Sequence, residues 1–402
     1  MSRVWRIWWV LVLFALGTSL ITPLIPIYQD ALGFSDTVAT LFLGFYVAAL
    51  VPSMLTLGQV SDRVGRKRVL LGALGTLAVA QTILITEPGL EGLLLARSIQ
   101  GFATGAFFGT CTAFIVDSAP FGRRGFVSAL ASVSVRLGLG LGPGIGGVIA
   151  EYAANPLRLP FELHLIALAI AAALVLTVPE TVTVRTRRRL TLRLEVPEAE
   201  RAVFWRVLVP SGALFSLFDG TALSLIPVFL VRTLGVDNYA VVGAAGFLVL
   251  VSGALSQLAL PGISPDRAIG WGLAAAAVSS LGVVAAAPVQ SAPLALAAVA
   301  ATGASAGLVF KGGIDLCTQI APAQDRGKLL SAYYVACYLG GFSVPLLLIG
   351  ILSDAIGLTA ALACLSAAGA IGAAWTWAVG LRSLSGLRPI TSSEAVPPPG
   401  AG

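Results

Sequence analysis

The sequence predicts an all-α polytopic membrane protein: twelve transmembrane helices arranged as two six-helix bundles. Three observations carry that reading. Of the 402 residues, 57% are apolar and only 11% charged, whereas soluble domains carry roughly a quarter charged residues. The chain divides into a dozen apolar runs long enough to cross a hydrocarbon core about 30 Å thick. Its basic residues crowd every second connection and almost desert the others. Soluble enzymes, nucleic-acid binders and secreted disulfide scaffolds are excluded at this step.

The spans are expected near residues 5–28, 37–60, 68–87, 91–117, 125–151, 158–178, 205–231, 239–260, 268–288, 292–320, 328–352 and 358–380. Twenty of the 25 Lys and Arg residues fall at the N-terminus, in the even-numbered connections or in the C-terminal tail. Two, Arg158 and Arg232, fall on the opposite side, and Arg97, Arg136 and Lys311 lie inside spans. The positive-inside rule then places both termini in the cytoplasm. The net charge of +6 is therefore a topology signal, with no nucleic acid among the expected partners.

Cys111, Cys317, Cys337 and Cys364 lie within apolar spans without CxxC spacing or a neighbouring His cluster. They read as small hydrophobic residues, and neither a metal nor a bound cofactor is expected. Arg3 and Arg6 before an apolar run mimic a signal peptide, but the run is span-length and lacks a clear small-residue cleavage site.

An internal repeat divides the chain. Leu24 to Tyr28 (LIPIY) returns as Leu225 to Phe229 (LIPVF), shifted by 201. Gly33, Gly44 and Phe45 return at 202, as do Gly101, Gly105, Pro120, Arg124, Gly125 and Pro143. The expected units are an N-terminal six-helix bundle (1–180), a cytoplasmic linker (181–204), a C-terminal bundle (205–388) and a disordered tail (389–402). The linker is rich in Arg and Glu, and reads as a solvated connection or a short amphipathic helix on anionic lipid. Parallel repeats of this kind suit a carrier with a central site between the halves.

Gly58-Gln-Val-Ser-Asp62-Arg63-Val-Gly65-Arg66-Lys67-Arg68 occupies the short loop between spans 2 and 3. Physically it is a charged hairpin turn in which Gly65 permits a tight bend. As a pattern, G-x-x-x-D-R-x-G-R-K/R, it resembles the loop signature of the major facilitator superfamily. A worn copy, Gly262 to Arg267, stands at the matching place in the second half. Arg97-Ser-Ile-Gln100-Gly101 is similar to the R-x-x-Q-G pattern of that superfamily's drug:proton antiporter branch. Gly138, Gly142-Pro143 and Gly146-Gly147 resemble its span 5 pattern, and Pro179-Glu180-Thr181 its P-E-T after span 6. The resemblance implies the major facilitator fold, a small-molecule substrate, protons as coupling ion, a monomer and no cofactor beyond the proton gradient. It also implies that Arg66 pairs with Asp117, latching the cytoplasmic side when the protein faces outward, and that Arg97 takes part in proton coupling.

Gly138, Gly142 and Gly146 recur every four residues, a stripe that lets helix backbones approach closely. Either tight packing or a bend that shapes the cavity between the halves explains it, with Pro143 supplying the bend.

Charges at lipid depth carry more information, since a central Arg, Lys or Asp costs roughly 2.5–3.5 kcal/mol on insertion scales. Lys311 and Asp315, four apart, share a helix face and can pair. Asp219 lies near the middle of span 7, where the repeat places Gly17 and Thr18 of span 1. The family's span 1 carboxylate has no counterpart, because residues 11–28 contain no acid. Asp219 is therefore the leading proton-coupling candidate, beside Lys311, Asp315, Arg97, Gln100 and Arg136. A permanent Asp219 ion pair with Arg136 or Lys311, locking the halves together, is the structural alternative. His164 and Glu162 are expected as solvated rim residues.

These readings converge on a twelve-helix secondary transporter in a bacterial inner membrane, a proton-driven exporter of a hydrophobic or amphipathic drug or metabolite. A carrier of an organic anion and a non-transporting sensor or scaffold with the same fold are the rivals.

Overall fold

The computed structural model describes residues 1–120, 122–182, 196–322 and 325–381. Among them no strand occurs, and twelve helices are long and apolar enough to cross a membrane. In the first half these are α1 (Ser2–Leu32), α2 (Asp36–Val64), α3 (Arg66–Ile85), α4 (Leu90–Asp117), α5 (Arg124–Tyr152) and α6 (Leu159–Leu176). In the second they are α7 (Glu198–Ser224), α8 (Tyr239–Ala259), α9 (Pro265–Ala286), α10 (Ala292–Ile320), α11 (Arg326–Ile356) and α12 (Leu358–Val379). The linker residues 183–195 and the tail from 382 lie outside the described residues, so the amphipathic helix and the disordered tail expected there do too. Helix α7 starts at Glu198, inside the segment read as linker.

The two halves pack alike, as the repeat requires. In the first, α1 lies against α5 and α6, α2 against α4, and α3 against α4 and α6; in the second, α7 lies against α11, α8 against α10, and α9 against α10 and α12. Two seams join the halves, α5 with α8 and α2 with α11, and they are counterparts of one another in the repeat. Each half has its own apolar core, one around Phe14, Phe107 and Phe114, the other around Phe229, Leu225 and Val249. The ends of the helices nearest the crowded basic connections define a basic side; the opposite end of the molecule is the far side.

Both first helices of the halves are interrupted at matching places. Pro23 and Pro26 lack the N–H that continues a helix, and α1 passes through a short 3₁₀ turn at Thr22–Leu24 before resuming as Ile25–Leu32. Helix α7 continues beyond Ser224 as Ile226–Val228 and then a π-helical turn, Phe229–Thr233. A π turn accommodates one extra residue in a helix. The repeat offset rises from 201 to 202 across that turn, between Tyr28/Phe229 and Gly33/Gly235. The bulge is where the second half absorbs its additional residue.

The loop between α2 and α3 bears out its reading as a tight turn. Gly65 has φ +106°, a conformation that L side chains rarely adopt, and its position has no room for a Cβ beside Glu180. Glu180 accepts hydrogen bonds from the backbone N–H groups of Arg66 and Lys67, 3.0 Å each, and so caps α3 from more than a hundred residues later in the chain. The P-E-T segment thus has a physical task. Partial burial alone would push the Glu180 carboxyl up, but N–H donors at Val182, Lys67, Arg66 and Thr181 together hold it below the usual carboxylate range. The stabilisation is present above the ordinary glutamate pKa and fades as pH falls through the lowered value. Glu180→Ala is expected to cost about 0.5–1 kcal/mol, the low end for a lost cap because the group is exposed. Thermal unfolding in detergent at pH 7 and at pH 4 checks it, and the difference between the two proteins should shrink at the lower pH.

Three of the four cysteines are buried, as expected of small apolar residues, but Cys364 is exposed on α12.

Candidate functional site

One polar contact joins the halves deep in the molecule. Arg136, near the middle of α5, places Nη2 2.9 Å from Asp219 Oδ2, near the middle of α7. Both side chains are buried, 8% and 4% exposed. Of the two partners open to Asp219 in the sequence, the structure selects Arg136. The pair is incompletely satisfied: Asp219 Oδ1 and Arg136 Nε are buried without a partner. Buried polar atoms are ordinarily bonded, and here each member of the charged pair has one polar atom that the chain itself leaves unbonded.

Aromatic rings surround it. The Arg136 guanidinium lies 5.8 Å from the Phe215 ring centre, Phe215 packs on Phe310 at 5.1 Å, and Phe310 meets Tyr334 at 5.9 Å. Lys311 and Asp315 pair along α10. Lys311 is five residues past the helix midpoint, so about 7.5 Å nearer the basic side. Exposure rises in that direction, to 16% for Lys311 and 35% for Asp315.

Arg97 and Gln100 stand elsewhere, at the junction of α1, α2 and α4. Arg97 donates to the carbonyls of Phe42 (3.1 Å) and Thr18 (2.8 Å) and to Gln100 Oε1 (2.6 Å), and lies 4.7 Å from the Tyr46 ring centre.

The far side is closed by contacts between the halves. Asp354 at the end of α11 accepts from Asp36 N–H, Thr37 N–H and the Thr37 hydroxyl, capping the start of α2. Glu151 at the end of α5 accepts from Tyr239 N–H at 2.7 Å, the start of α8. These are the same device at neighbouring repeat positions, each half capping a helix of the other. Arg232 bridges to Asp30 at 3.1 Å. If this latch governs opening to the far side, Asp354→Asn combined with Glu151→Gln should raise the far-side labelling of an engineered cysteine in α1 several-fold. Unchanged labelling would show that the caps are ornamental to the transition.

At the basic side, Arg66 bonds Asp62 at 2.5 Å and lies 3.5 Å from Asp117. The pairing expected from Arg66 and Asp117 therefore forms; all three residues belong to the first half, and the pair occurs together with the far-side contacts between the halves. Gly58 lies within α2, and Arg63 is half-buried without an ion-pair partner among the described residues.

The glycines of α5 divide by face. A Cβ at Gly138, Gly142 or Gly146 would collide with α1, at Ala15, Leu16 O or Leu20 O. That stripe packs one half internally and does not shape the space between halves. The inter-half contact belongs to Gly140, Gly144 and Gly147, whose neighbours are Val251, Phe247 and Gly243 of α8, and to Pro143, whose carbonyl and ring meet Gly243 and Gly246. Gly140 and Gly144 escaped the sequence reading, although their own spacing of four was available as a signal.

His164 is also corrected. It is buried, 1% exposed, with Nε2 2.9 Å from Leu13 O and Nδ1 2.8 Å from Gln81 Nε2, its ring seated in the notch left by Gly17. At the offset of 201 that holds before the π turn, Asp219 answers to Thr18, the neighbour of Gly17, so the imidazole from α6 sits one position from where the second half holds a carboxylate. Glu162 is exposed, as expected.

Comparisons with known proteins agree with this architecture. The family model described as Major Facilitator Superfamily matches residues 7–345. Quinolone resistance protein NorA of Staphylococcus aureus is 29% identical over 150 residues, 36% of this chain and 37% of NorA. Multidrug resistance protein MdtG of Proteus mirabilis is 28% identical over 164 residues, 39% of this chain and 40% of MdtG. The matched stretches thus span well under half of either relative. Among solved structures, the inward-facing, unoccupied bacterial homolog of the human lysosomal transporter Spinster superposes with a TM-score of 0.75 at 16% identity, covering 95% of this chain and 97% of that one.

Proposed function

The chain belongs to the Major Facilitator Superfamily, and from that premise we propose that it is a proton-coupled antiporter that exports hydrophobic or amphipathic small molecules. The family is one of transporters, so the chain is a multi-pass membrane transporter and not an enzyme. Drug export is supported by the names of two partial relatives, the quinolone and multidrug resistance proteins, and by the aromatic lining around Phe215, Phe310 and Tyr334. The basic side, carrying most Lys and Arg, is assigned to the cytoplasm with both termini, in a cell inner membrane, with the protein working as a monomer.

The observation that carries the reading is the Arg136–Asp219 bridge between halves, with one carboxylate oxygen left bare. The halves rock about this midplane contact. With Asp219 ionised, the guanidinium holds the halves at the midplane; a proton on Asp219 releases Arg136 and loosens the contact. Substrate charge and proton then compete for the same carboxylate. The glycine and proline seam of α5 and α8 provides the surface on which the halves pivot, while the Asp354 and Glu151 caps close the far side.

Inside-out membrane vesicles given a fluorescent lipophilic cation from outside test the proposal. Uptake driven by an imposed proton gradient, and collapsed by a protonophore, is the expected result. Uptake that ignores the gradient would leave a carrier without proton coupling.

A further inference from the structure

Three cations lie at lipid depth, and their partners differ. Arg136 is bonded to Asp219 and Lys311 to Asp315, each at hydrogen-bond range. Arg97 is buried, 6% exposed, and pairs with no carboxylate among the described residues. Its acceptors are two backbone carbonyls and an amide oxygen, and these solvate a charge without neutralising it. Beside it Gln100, fully buried, turns Oε1 to the guanidinium and leaves its Nε2 donor without any partner. A charge that lacks a counter-charge and an amide that lacks an acceptor therefore adjoin each other in a water-poor interior, where both are costly to leave bare.

The place is at the junction of α1, α2 and α4 and borders the seam between halves. Tyr46, which covers the guanidinium, belongs to the apolar cluster that contains Val335 of α11, with Tyr338 and Phe342 packed against it. No acid stands among residues 11–28 of α1 to compensate.

We propose that Arg97 and Gln100 form a docking point for an anionic group, so that the molecules carried include an aromatic or amphipathic compound bearing a carboxylate. Its carboxylate accepts from Arg97 and from Gln100 Nε2, while its apolar body lies against Tyr46, Tyr338 and Phe342. This rests on the reading of the chain as a carrier with a site between its halves. It departs from the simpler idea that Arg136 or Lys311 receives an anion, since both are already neutralised.

Purified full-length protein in detergent, titrated with benzoate, benzylammonium and benzyl alcohol by calorimetry, provides the test. Benzoate is expected to bind and the two isosteres not to. Arg97→Gln should weaken benzoate by at least about tenfold, the loss of a charge-assisted contact. Because Arg97 ties three helices and its replacement also loosens the fold, Gln100→Glu is the decisive companion: it places a carboxylate beside Arg97, keeps the acceptor that Arg97 uses, and should leave melting unchanged or raised while abolishing benzoate binding. Absent benzoate binding, a preference for benzylammonium, or benzoate binding that survives Gln100→Glu would each overturn the assignment. Gradient-driven uptake of the lipophilic cation, measured in parallel, tells failure of this assignment from failure of the carrier reading.

Discussion

Asp219→Asn is expected to insert and fold, and to lose proton-driven transport completely. The amide preserves shape and still accepts from Arg136, but it cannot take up a proton. Either single variant leaves the other charge of a buried pair uncompensated, a loss of up to about 3–5 kcal/mol. Asp219→Asn keeps an acceptor for the guanidinium and folds with a lowered melting temperature, and Arg136→Gln melts well below the parent unless Asp219 is protonated. The double variant Asp219→Asn with Arg136→Gln replaces a charged pair by a neutral hydrogen-bonded one. It should regain most of the stability lost in Arg136→Gln and none of the coupling. Thermal unfolding and gradient-driven uptake on the four proteins separate a lock from a coupler. If the pair only locks the halves, the double variant transports; if it couples, stability returns without transport.

The second large effect lies on the α5–α8 seam. A Cβ at Gly243 would sit 2.3 Å from the Pro143 carbonyl oxygen, and one at Gly147 would sit 2.5 Å from the Tyr239 carbonyl oxygen and 2.8 Å from the Gly243 Cα. These obstacles are backbone and cannot swing away. Gly243→Ala should therefore penalise the far-closed arrangement by about 1–3 kcal/mol, shifting the population toward far-side opening by roughly 5- to 150-fold. Gly144→Ala is the control, since its Cβ would meet only the Phe247 side chain at ordinary contact, 3.4 Å or more. A reporter cysteine at Thr22, in the break of α1 and near the Gly246 position, reads the shift by its reaction with a membrane-impermeant thiol reagent from the far side. The buried Cys111, Cys317 and Cys337 can stay, whereas exposed Cys364 must first become Ser. Faster labelling in Gly243→Ala but not Gly144→Ala is expected; equal rates would show that the seam does not set the far-side equilibrium.

Much of the architecture was legible because membrane folding depends on properties a sequence displays directly. Span length, charge asymmetry and a constant repeat offset are one-dimensional signals, and they carried twelve helices and two halves. The offset even contained the π turn at Phe229–Thr233, once the step from 201 to 202 is read as an inserted residue. Contacts between elements were less legible. Spacing of four marked Gly138, Gly142 and Gly146 as one face of α5, but spacing cannot say whether that face meets α1 or α8. Gly140, Gly144 and Gly147 stand on another face of the same helix, and which face meets α8 is decided only when α8 is in place. His164 near a helix start reads as a rim residue because nothing local reveals that Gly17, well over a hundred residues away, has left a notch for its ring. Glu180, Asp354 and Glu151 act as caps for helices remote in sequence, and a cap from afar has none of the spacing that identifies a local one. For Asp219 the uncertainty was narrower: the sequence reduced its partners to two cations, and geometry chose Arg136.

The most direct measurement of coupling through Asp219 is the fluorescence of a pH dye trapped in vesicles that contain the purified protein under an imposed proton gradient. Lipophilic cations and aromatic carboxylates are added in turn, to the parent and to Asp219→Asn. Proton movement triggered by a substrate in the parent and absent from Asp219→Asn is the predicted result. Equal substrate-triggered proton movement in both proteins would contradict it and remove Asp219 from the coupling mechanism.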